Sequence, residues 1–248
     1  MMRIRAVVMA AALAVVAAAA ACGGNGAGSP GGNDFFRQYE YEEEIYLSLD
    51  GTATVYVNSS IPALNALRGT SFDTRPNARV DTAAVRAFFS SPGTHVTRLS
   101  STRRNSRQFV HIRLDADHIQ HLNAAPPFAW SVYDFKLDDN VYRYLQTVGR
   151  AAGKDVGNVG WSGRELVAFR LHLPSKITFH NTGRDIGRGN ILVWEQPLAD
   201  RLRSAPLKLD ARMETQSILY RTLWLFGWTL VAAAAAFALV IWLIVRRG

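Results

Sequence analysis

The segment Tyr39–Val57, YEYEEEIYLSLDGTATVYV, carries the clearest fold signal in the chain. Two β-prone runs flank Asp50-Gly51, a dipeptide that favours the two-residue turn of a β-hairpin. In the second run Val55 and Val57 alternate with polar residues. Successive strand residues point to opposite sides of a sheet, so the alternation predicts one buried face. The segment therefore predicts an antiparallel hairpin.

The first run of this hairpin contains three consecutive acidic residues, Glu42-Glu43-Glu44. Alternation along a strand separates neighbouring carboxylates, which argues against a general acid–base pair. We expect this charge run to be solvated.

Downstream, β-prone segments alternate with short helical ones. Asp81 is the expected N-cap of a helix that runs to Phe89 and stops before Pro92-Gly93. Two further helices are expected at Pro62–Arg68 and Asp115–Asn123. The predicted later strands are His95–Leu99, Gln108–Leu114, Trp130–Leu137, Val141–Thr147, Leu166–Leu173, Ile177–His180, Ile191–Trp194 and Leu207–Met213. This order predicts an α+β fold, a curved antiparallel sheet with two or three helices on one face.

Residues 1–21 have the parts of a secretory signal peptide. Arg3 and Arg5 precede an apolar run, and Ala19 and Ala21 satisfy the A-x-A cleavage rule. The peptide could be cut conventionally after Ala21, or Cys22 could become the lipid-modified first residue. Because Cys22 is the chain's only cysteine and stands at the cleavage point, we expect lipidation. Residues 22–33 would then be a Gly-rich tether.

The C-terminal segment Leu223–Val245 is apolar throughout. At 1.5 Å per residue it covers about 35 Å, enough for a hydrocarbon core of about 30 Å. Aromatic and basic residues expected at the two membrane interfaces are Trp224, Trp228, Trp242, Arg246 and Arg247. The positive-inside rule places the C-terminus in the cytoplasm. We therefore predict an exported domain at residues 34–220, and a helix with a short tail at 221–248, crossing the cytoplasmic (inner) membrane once.

The charge of the chain invites a nucleic-acid interpretation, which its distribution disfavours. The formal net charge is +8, but residues 34–220 hold 23 Lys and Arg against 20 Asp and Glu. An exported domain of nearly balanced charge is a poor nucleic-acid binder. With a single cysteine, no intramolecular disulfide is possible.

Motifs for catalysis or metal binding do not assemble in the sequence. His118 and His121 are spaced for one helix face, but a zinc site needs three or four ligands and no partner is identifiable. The Gly149–Asp155 segment resembles a phosphate loop, yet its spacing is short and Asp155 replaces the metal-binding hydroxyl. We expect no enzyme activity, cofactor or metal.

Two features are candidates for binding. Arginines crowd one hairpin tip without an acidic neighbour in sequence, and guanidinium groups suit lipid head-group phosphate; they are Arg98, Arg103, Arg104 and Arg107. The second feature is the glycine-rich segment Gly149–Gly163, which we expect to be irregular. Trp161 in this segment could gate an apolar cavity or simply dock the loop on the sheet.

Several short motifs bear on the family of this chain: the strand before Asp50-Gly51 with Pro62 downstream, Phe169–Pro174, Asn181-Thr182-Gly183 and Ile191–Trp194. Together they resemble the LppM-type domain, a bacterial envelope family. The family usually has glycine after the Phe169–Pro174 motif, where Ser175 stands here. The resemblance implies a lipoprotein-like signal, an α+β ectodomain and a C-terminal membrane helix. It also implies an envelope role, with lipid or glycolipid binding suggested for the mycobacterial members.

Two functions remain open at this point. The first is a non-enzymatic, membrane-anchored domain outside the cytoplasm that binds a lipid or glycolipid component of the envelope. The second is an assembly module that binds other envelope proteins. An apolar pocket between sheet and helices would favour the first, and a filled core with a large exposed apolar patch the second.

Overall fold

The computed structural model describes residues 37–186 and 190–247. The predicted signal peptide, Cys22 and the tether lie outside these residues. The expected hairpin around Asp50-Gly51 is present, formed by strands β1 (Tyr39–Leu47) and β2 (Ala53–Ser60). Gly51 has φ of 86°, in the left-handed region that glycine adopts at little cost.

β1 and β2 lie at the centre of a six-stranded sheet, sheet 1. Its other strands are β3 (Thr94–Arg104), β4 (Arg107–Ala116), β7 (Leu166–His172) and β9 (Ile191–Pro197). The strand order is β3-β4-β2-β1-β7-β9. All neighbours pair antiparallel except β1 and β7, which are parallel.

The remaining described strands form a second, antiparallel sheet, sheet 2, in the order β5-β6-β10-β8. They are β5 (Ser131–Asp138), β6 (Val141–Val148), β8 (Ser175–His180) and β10 (Leu207–Ser217). The predicted α+β class is confirmed. The strands are divided between two sheets rather than one, and the chain crosses between them after β4, β6, β7, β8 and β9.

Short helices accompany the sheets: α1 (Ile61–Arg68), α2 (Thr82–Phe89), a 3-10 helix (Ile119–Ala124) and α3 (Leu198–Leu202). Asp81 caps α2 as predicted, accepting a hydrogen bond from the Ala84 amide at 2.9 Å. The helix expected at Asp115–Asn123 begins later than predicted. Asp115 belongs to β4, because β4 pairs on both sides and extends to Ala116.

The core lies between the inner faces of the two sheets. Val55 and Val57 of β2 are fully buried there, and Tyr133 and Tyr144 contribute from sheet 2. Side chains fill this inter-sheet space. α1 is buried along nearly its whole length beside it.

The strand directions define two ends of the domain. β10 ends at Ser217 and a long helix, α4 (Ile218–Arg247), begins at the next residue. The Ile218 amide donates to the Pro174 carbonyl in the β7–β8 turn at 3.0 Å. We call this side the anchor end. The opposite side, the far end, contains Leu207 at the start of β10, about 35 Å away along the strand.

The far end also contains the predicted arginine-rich tip. Leu166 at the start of β7 lies opposite Tyr39 of β1, and β4 begins beside the end of β2, with Phe109 opposite Ser60. The β3–β4 turn, Asn105-Ser106, therefore lies at the far end of sheet 1. Hydrogen bonds join the two sheets here: the Arg201 guanidinium after β9 donates to Gly149 O after β6 at 2.8 Å.

Candidate functional site

A groove of about 640 Å³ opens at the far end. It lies among the β3–β4 turn, the segment after α1 and the loop after β6. Uncharged side chains that can form hydrogen bonds make up much of its lining: Gln38, Thr74, Asn105, Ser106, Asn158 and Ser162. The groove thus brings together the arginine hairpin and the glycine-rich loop, which the sequence presented as separate candidates.

One wall of the groove is the loop from Gly149 to Glu165, which is irregular as predicted. Arg107 holds it in place: its Nη1 donates to Val159 O at 3.1 Å and to Gly160 O at 3.0 Å. Its Nη2 donates to Glu40 Oε1 at 2.9 Å. Arg107 is 4% exposed and Glu40 0%, so this ion pair is sealed beneath the loop.

Trp161 docks the loop on sheet 1. Its Nε1 donates to Glu40 Oε2 at 3.3 Å, and its ring packs against the core. Of the two roles considered for Trp161, the structure places it in the docking role.

Glu165 closes the end of the loop. Its carboxylate accepts hydrogen bonds from the amides of Ser162 at 2.6 Å and Gly163 at 2.8 Å. Burial favours a raised pKa for Glu165, but these amides and the Ser162 hydroxyl outweigh it, and the pKa is lowered. Gly163 has φ of 84°, which suits glycine where the chain turns back to the carboxylate.

The charged groups of the groove are therefore already engaged. Arg107 pairs with Glu40, Arg75 pairs with Asp73, and the loop amides bind Glu165. Besides apolar contact, the groove offers a ligand amides, hydroxyls and backbone groups. This chemistry suits a neutral, polyhydroxylated ligand better than a bare phosphate.

A second cavity of about 440 Å³ lies on the other side of the segment after α1. Ile61, Phe72, Val80 and Ala84 supply an apolar lining, with Arg79 among the polar residues. Asp73 lines this cavity and the adjacent Thr74 lines the groove. A ligand with a polar and an apolar part could therefore contact both.

The four predicted head-group arginines do not form one patch. Arg107 is buried against Glu40, an acidic partner that is distant in sequence, so its guanidinium group is not exposed at the tip. Arg104 donates to Tyr39 O at 2.8 Å and lies over the Phe109 ring. Arg103 reaches Asn77 at 3.4 Å.

The fourth arginine, Arg98, is exposed and lies opposite Arg113, several residues back along β3. The segment between the predicted strands His95–Leu99 and Gln108–Leu114 is mostly strand around a two-residue turn. A role of these arginines in binding head groups stays a prediction.

The membrane-interface residues lie on α4, whose 30 residues are mostly apolar and are exposed along the whole helix. Such a helix is long and apolar enough to cross a bilayer. Trp224 and Trp228 lie near its start with ring centres 5.3 Å apart, and Arg246 lies over the Trp242 ring near its end. Trp224 and Trp242 are separated by about 27 Å of helix, close to the thickness of a hydrocarbon core.

The expectation that the acidic run is solvated is wrong for Glu43, which is 1% exposed. Its carboxylate accepts hydrogen bonds from Tyr133 at 2.7 Å, Gln146 at 2.9 Å and Tyr41 at 3.0 Å. Burial raises the pKa of Glu43, against the opposing effect of Arg68 and these donors. Glu42 and Glu44 lie on the opposite face, as alternation predicted.

The two histidines considered as metal ligands are on the 3-10 helix and just before it. Their ring centres are 6.2 Å apart. His118 packs on Gly51 and caps the helix through Gln120 N at 3.3 Å. Among the described residues, no group of three or more His, Cys, Asp or Glu side chains is placed to hold a metal.

Comparison with known proteins gives little further guidance. No protein-family model matches the chain, and no curated protein matches it. The NMR structure of the folded domain of Mycobacterium tuberculosis LppM is similar, with 13% identity and a TM-score of 0.42. The match covers 73% of this chain and 94% of that one. A likeness at this level supports no conclusion on function, and membership of the LppM-type family stays a prediction.

Proposed function

We propose that this chain is a membrane-anchored, non-enzymatic domain whose far-end groove binds the sugar-bearing head group of an envelope glycolipid. The observation that carries the proposal is the groove itself. Its volume fits a small ligand, and its lining is rich in uncharged amides and hydroxyls. Sugar hydroxyls both donate and accept hydrogen bonds, as these groups do.

The cavity beside the groove supports a ligand with an aliphatic part. Ile61 and Phe72 offer it apolar contact a few residues from Thr74 in the groove wall. Buried side chains occupy the space between the two sheets, so the aliphatic part would lie in this cavity or stay in a membrane.

The distance between the groove and α4 bears on how the ligand arrives. The groove lies at the far end, about 35 Å along the strands from the start of α4. A ligand presented from above the anchoring membrane, rather than from the lipid beside α4, suits this position. Soluble carriers and lipid-linked glycans meet that requirement.

For localisation we propose a single crossing of the cytoplasmic membrane by α4, with the domain outside and the C-terminus inside. Arg246 and Arg247 at the end of α4 favour this orientation. The predicted signal peptide favours the same one. Lipidation of Cys22 would add a second attachment to the outer leaflet.

The two attachments can be separated by a two-by-two experiment. We expect Cys22→Ala in the full chain to stay in the membrane fraction, because α4 alone retains it. A chain ending at Ser217 should stay bound through lipidated Cys22, and the same truncation with Cys22→Ala should be released. Release of the truncated chain with Cys22 intact would contradict lipidation. Retention of the truncated Cys22→Ala chain would contradict α4 as the remaining anchor.

Head-group binding can be measured by calorimetry on the full chain in nanodiscs of phosphatidylglycerol. We expect short-chain diglucosyl diacylglycerol to bind and short-chain phosphatidylglycerol to bind at least about tenfold more weakly. Thr74→Trp should fill the groove and abolish binding of the sugar lipid. Thr178→Trp, on an exposed position of β8, is the matched control and should bind as the wild type does.

Binding of both lipids with equal strength, or sugar-lipid binding unaffected by Thr74→Trp, would contradict the groove as a glycan site. If neither lipid binds, the assembly function is favoured, and the search moves to protein partners in the envelope.

A further inference from the structure

Four buried hydrogen-bond donors without a partner among the described residues lie together at the far end. They are Nε and Nη1 of Arg68, Nε of Arg201 and Nε1 of Trp130. The three side chains are in contact: the Arg68 guanidinium lies over the Trp130 ring, and that of Arg201 is 5.6 Å from the ring centre. An unmet buried donor costs about 1–3 kcal/mol, so such a cluster indicates a site that a ligand completes.

The cluster is held in place by the surrounding backbone. Arg201 in α3 is 0% exposed, and its other nitrogens donate to Gly149 O at 2.8 Å and to Gln196 Oε1 at 3.4 Å. The Gly149 amide in turn donates to Trp130 O at 2.6 Å. A Cβ on Gly149 would lie 2.4 Å from that oxygen, so only glycine allows this approach. The donors are therefore preorganised.

The charge of the cluster is unbalanced. In the described part of the chain, no carboxylate lies within ion-pair distance of Arg68 or Arg201. Glu43 acts on Arg68 through its charge and through Tyr41, whose hydroxyl accepts from Arg68 Nη2 at 2.8 Å and donates to Glu43 at 3.0 Å. One carboxylate thus faces two guanidinium groups, and burial followed by repulsion from Arg68 lowers the pKa of Arg201.

We propose that Arg68, Arg201 and Trp130 form a binding site for an oxyanion: phosphate, or a phosphate ester carried by a larger molecule. Guanidinium groups bind such oxygens as rigid forks, and an indole N–H adds a neutral donor from a different direction. Arg68 and Trp130 are only half-buried as whole residues, whereas the four donor atoms themselves are buried. The proposal does not depend on sugar binding in the groove.

The indole N–H group gives a direct readout in the unmodified protein. The full chain, labelled with 15N-tryptophan in micelles free of phosphate and sulfate, is titrated with inorganic phosphate. We expect the Trp130 indole resonance, assigned with Trp130→Phe, to move and to saturate. The indoles of Trp161 and Trp194 already donate to Glu40 and Asn181, so they serve as internal references and should stay in place.

Failure of the Trp130 resonance to move would overturn the proposal. So would an equal shift with sodium chloride at matched ionic strength, because that result would indicate screening rather than binding. A tighter response to glycerol phosphate than to inorganic phosphate would assign the site to an ester group. The reverse order would assign it to the free anion.

Two variants test the arginines separately. We expect Arg201→Gln to lose the saturable shift, and Arg68→Lys, which keeps the charge but not the fork, to weaken phosphate binding about tenfold. Arg113→Gln, at an exposed arginine of β4 outside the cluster, is the matched control. If Arg201→Gln does not fold, Arg68→Lys and the wild-type titration still decide the question. Unchanged phosphate binding in Arg68→Lys would contradict the proposed fork.

Discussion

Replacing Arg107 by methionine is expected to lower the free energy of unfolding of the domain by about 3 to 5 kcal/mol. The substitution leaves Glu40, which is 0% exposed, as a buried charge without its partner, and breaking one side of a buried ion pair costs about this much. It also releases the loop carbonyls of Val159 and Gly160. Urea unfolding of the solubilised chain, followed by tryptophan fluorescence, measures the change.

Arg103→Met is the matched control, because Arg103 is exposed on the same hairpin and should change stability by about 0.5 kcal/mol or less. Adding Glu40→Gln to Arg107→Met should recover part of the lost free energy of unfolding, since it removes the unpaired charge of the Glu40 carboxylate. Equal stabilities of the Arg107→Met and Arg103→Met variants would show that the pair does not support the loop.

Removing the Glu43 carboxylate by Glu43→Ala is expected to cost a similar amount, about 3 to 5 kcal/mol. Tyr133, Gln146 and Tyr41 would all lose their acceptor in a space from which water is excluded. Glu44→Ala, one residue along the strand on the opposite face, is the control. Glu44 is only half-buried and pairs with His172, and we expect its loss to cost about 1 kcal/mol.

The pH dependence of stability distinguishes the effect of the Glu43 charge from the effect of its side-chain shape. Because the pKa of Glu43 is raised in the folded state, the native protein keeps this proton to higher pH than the unfolded chain does. The resulting stabilisation is fully present below the unfolded pKa and is lost as the pH rises through the folded pKa. Glu43→Gln mimics the protonated form, so its stability should decline less over that window. An identical pH profile for wild type and Glu43→Gln would contradict a raised pKa.

The local parts of this fold are accessible from sequence. Asp50-Gly51 and the Asp81 cap act within a few residues, and both predictions are confirmed. The parallel pairing of β1 with β7 is different in kind. Tyr39 pairs with Leu166, which lies far away in the sequence, and no local sequence pattern predicts that contact.

The burial of Glu43 did have a sequence signal. Tyr41, Ile45 and Leu47 share its face of β1 and are all buried, so strand alternation alone places Glu43 among apolar neighbours. The three consecutive charges led us to expect a solvated segment instead. The polar sequence of β3 led to a predicted strand that is too short. β3 is an edge strand and largely exposed, so its residues lack the apolar alternation that marks a buried strand.

The far-end clusters gave no comparable signal. Arg107 meets Glu40, and Arg68 meets Trp130 and Arg201, only after distant segments have packed. In sequence, Arg107 looked like one member of a basic tip, and Arg201 had no distinguishing neighbour. Such sites depend on tertiary contacts that neither composition nor periodicity records.

The direct passage from β10 into α4 has a mechanical consequence. β10 is hydrogen-bonded to β6 on one side and β8 on the other, and Ser217 is followed immediately by the helix. A force applied between α4 and the far end would therefore act along β10. It would load the hydrogen bonds to β6 and to β8 in shear at the same time. Bonds loaded in shear must fail together rather than unzip one by one. The domain would thus bear tension along β10.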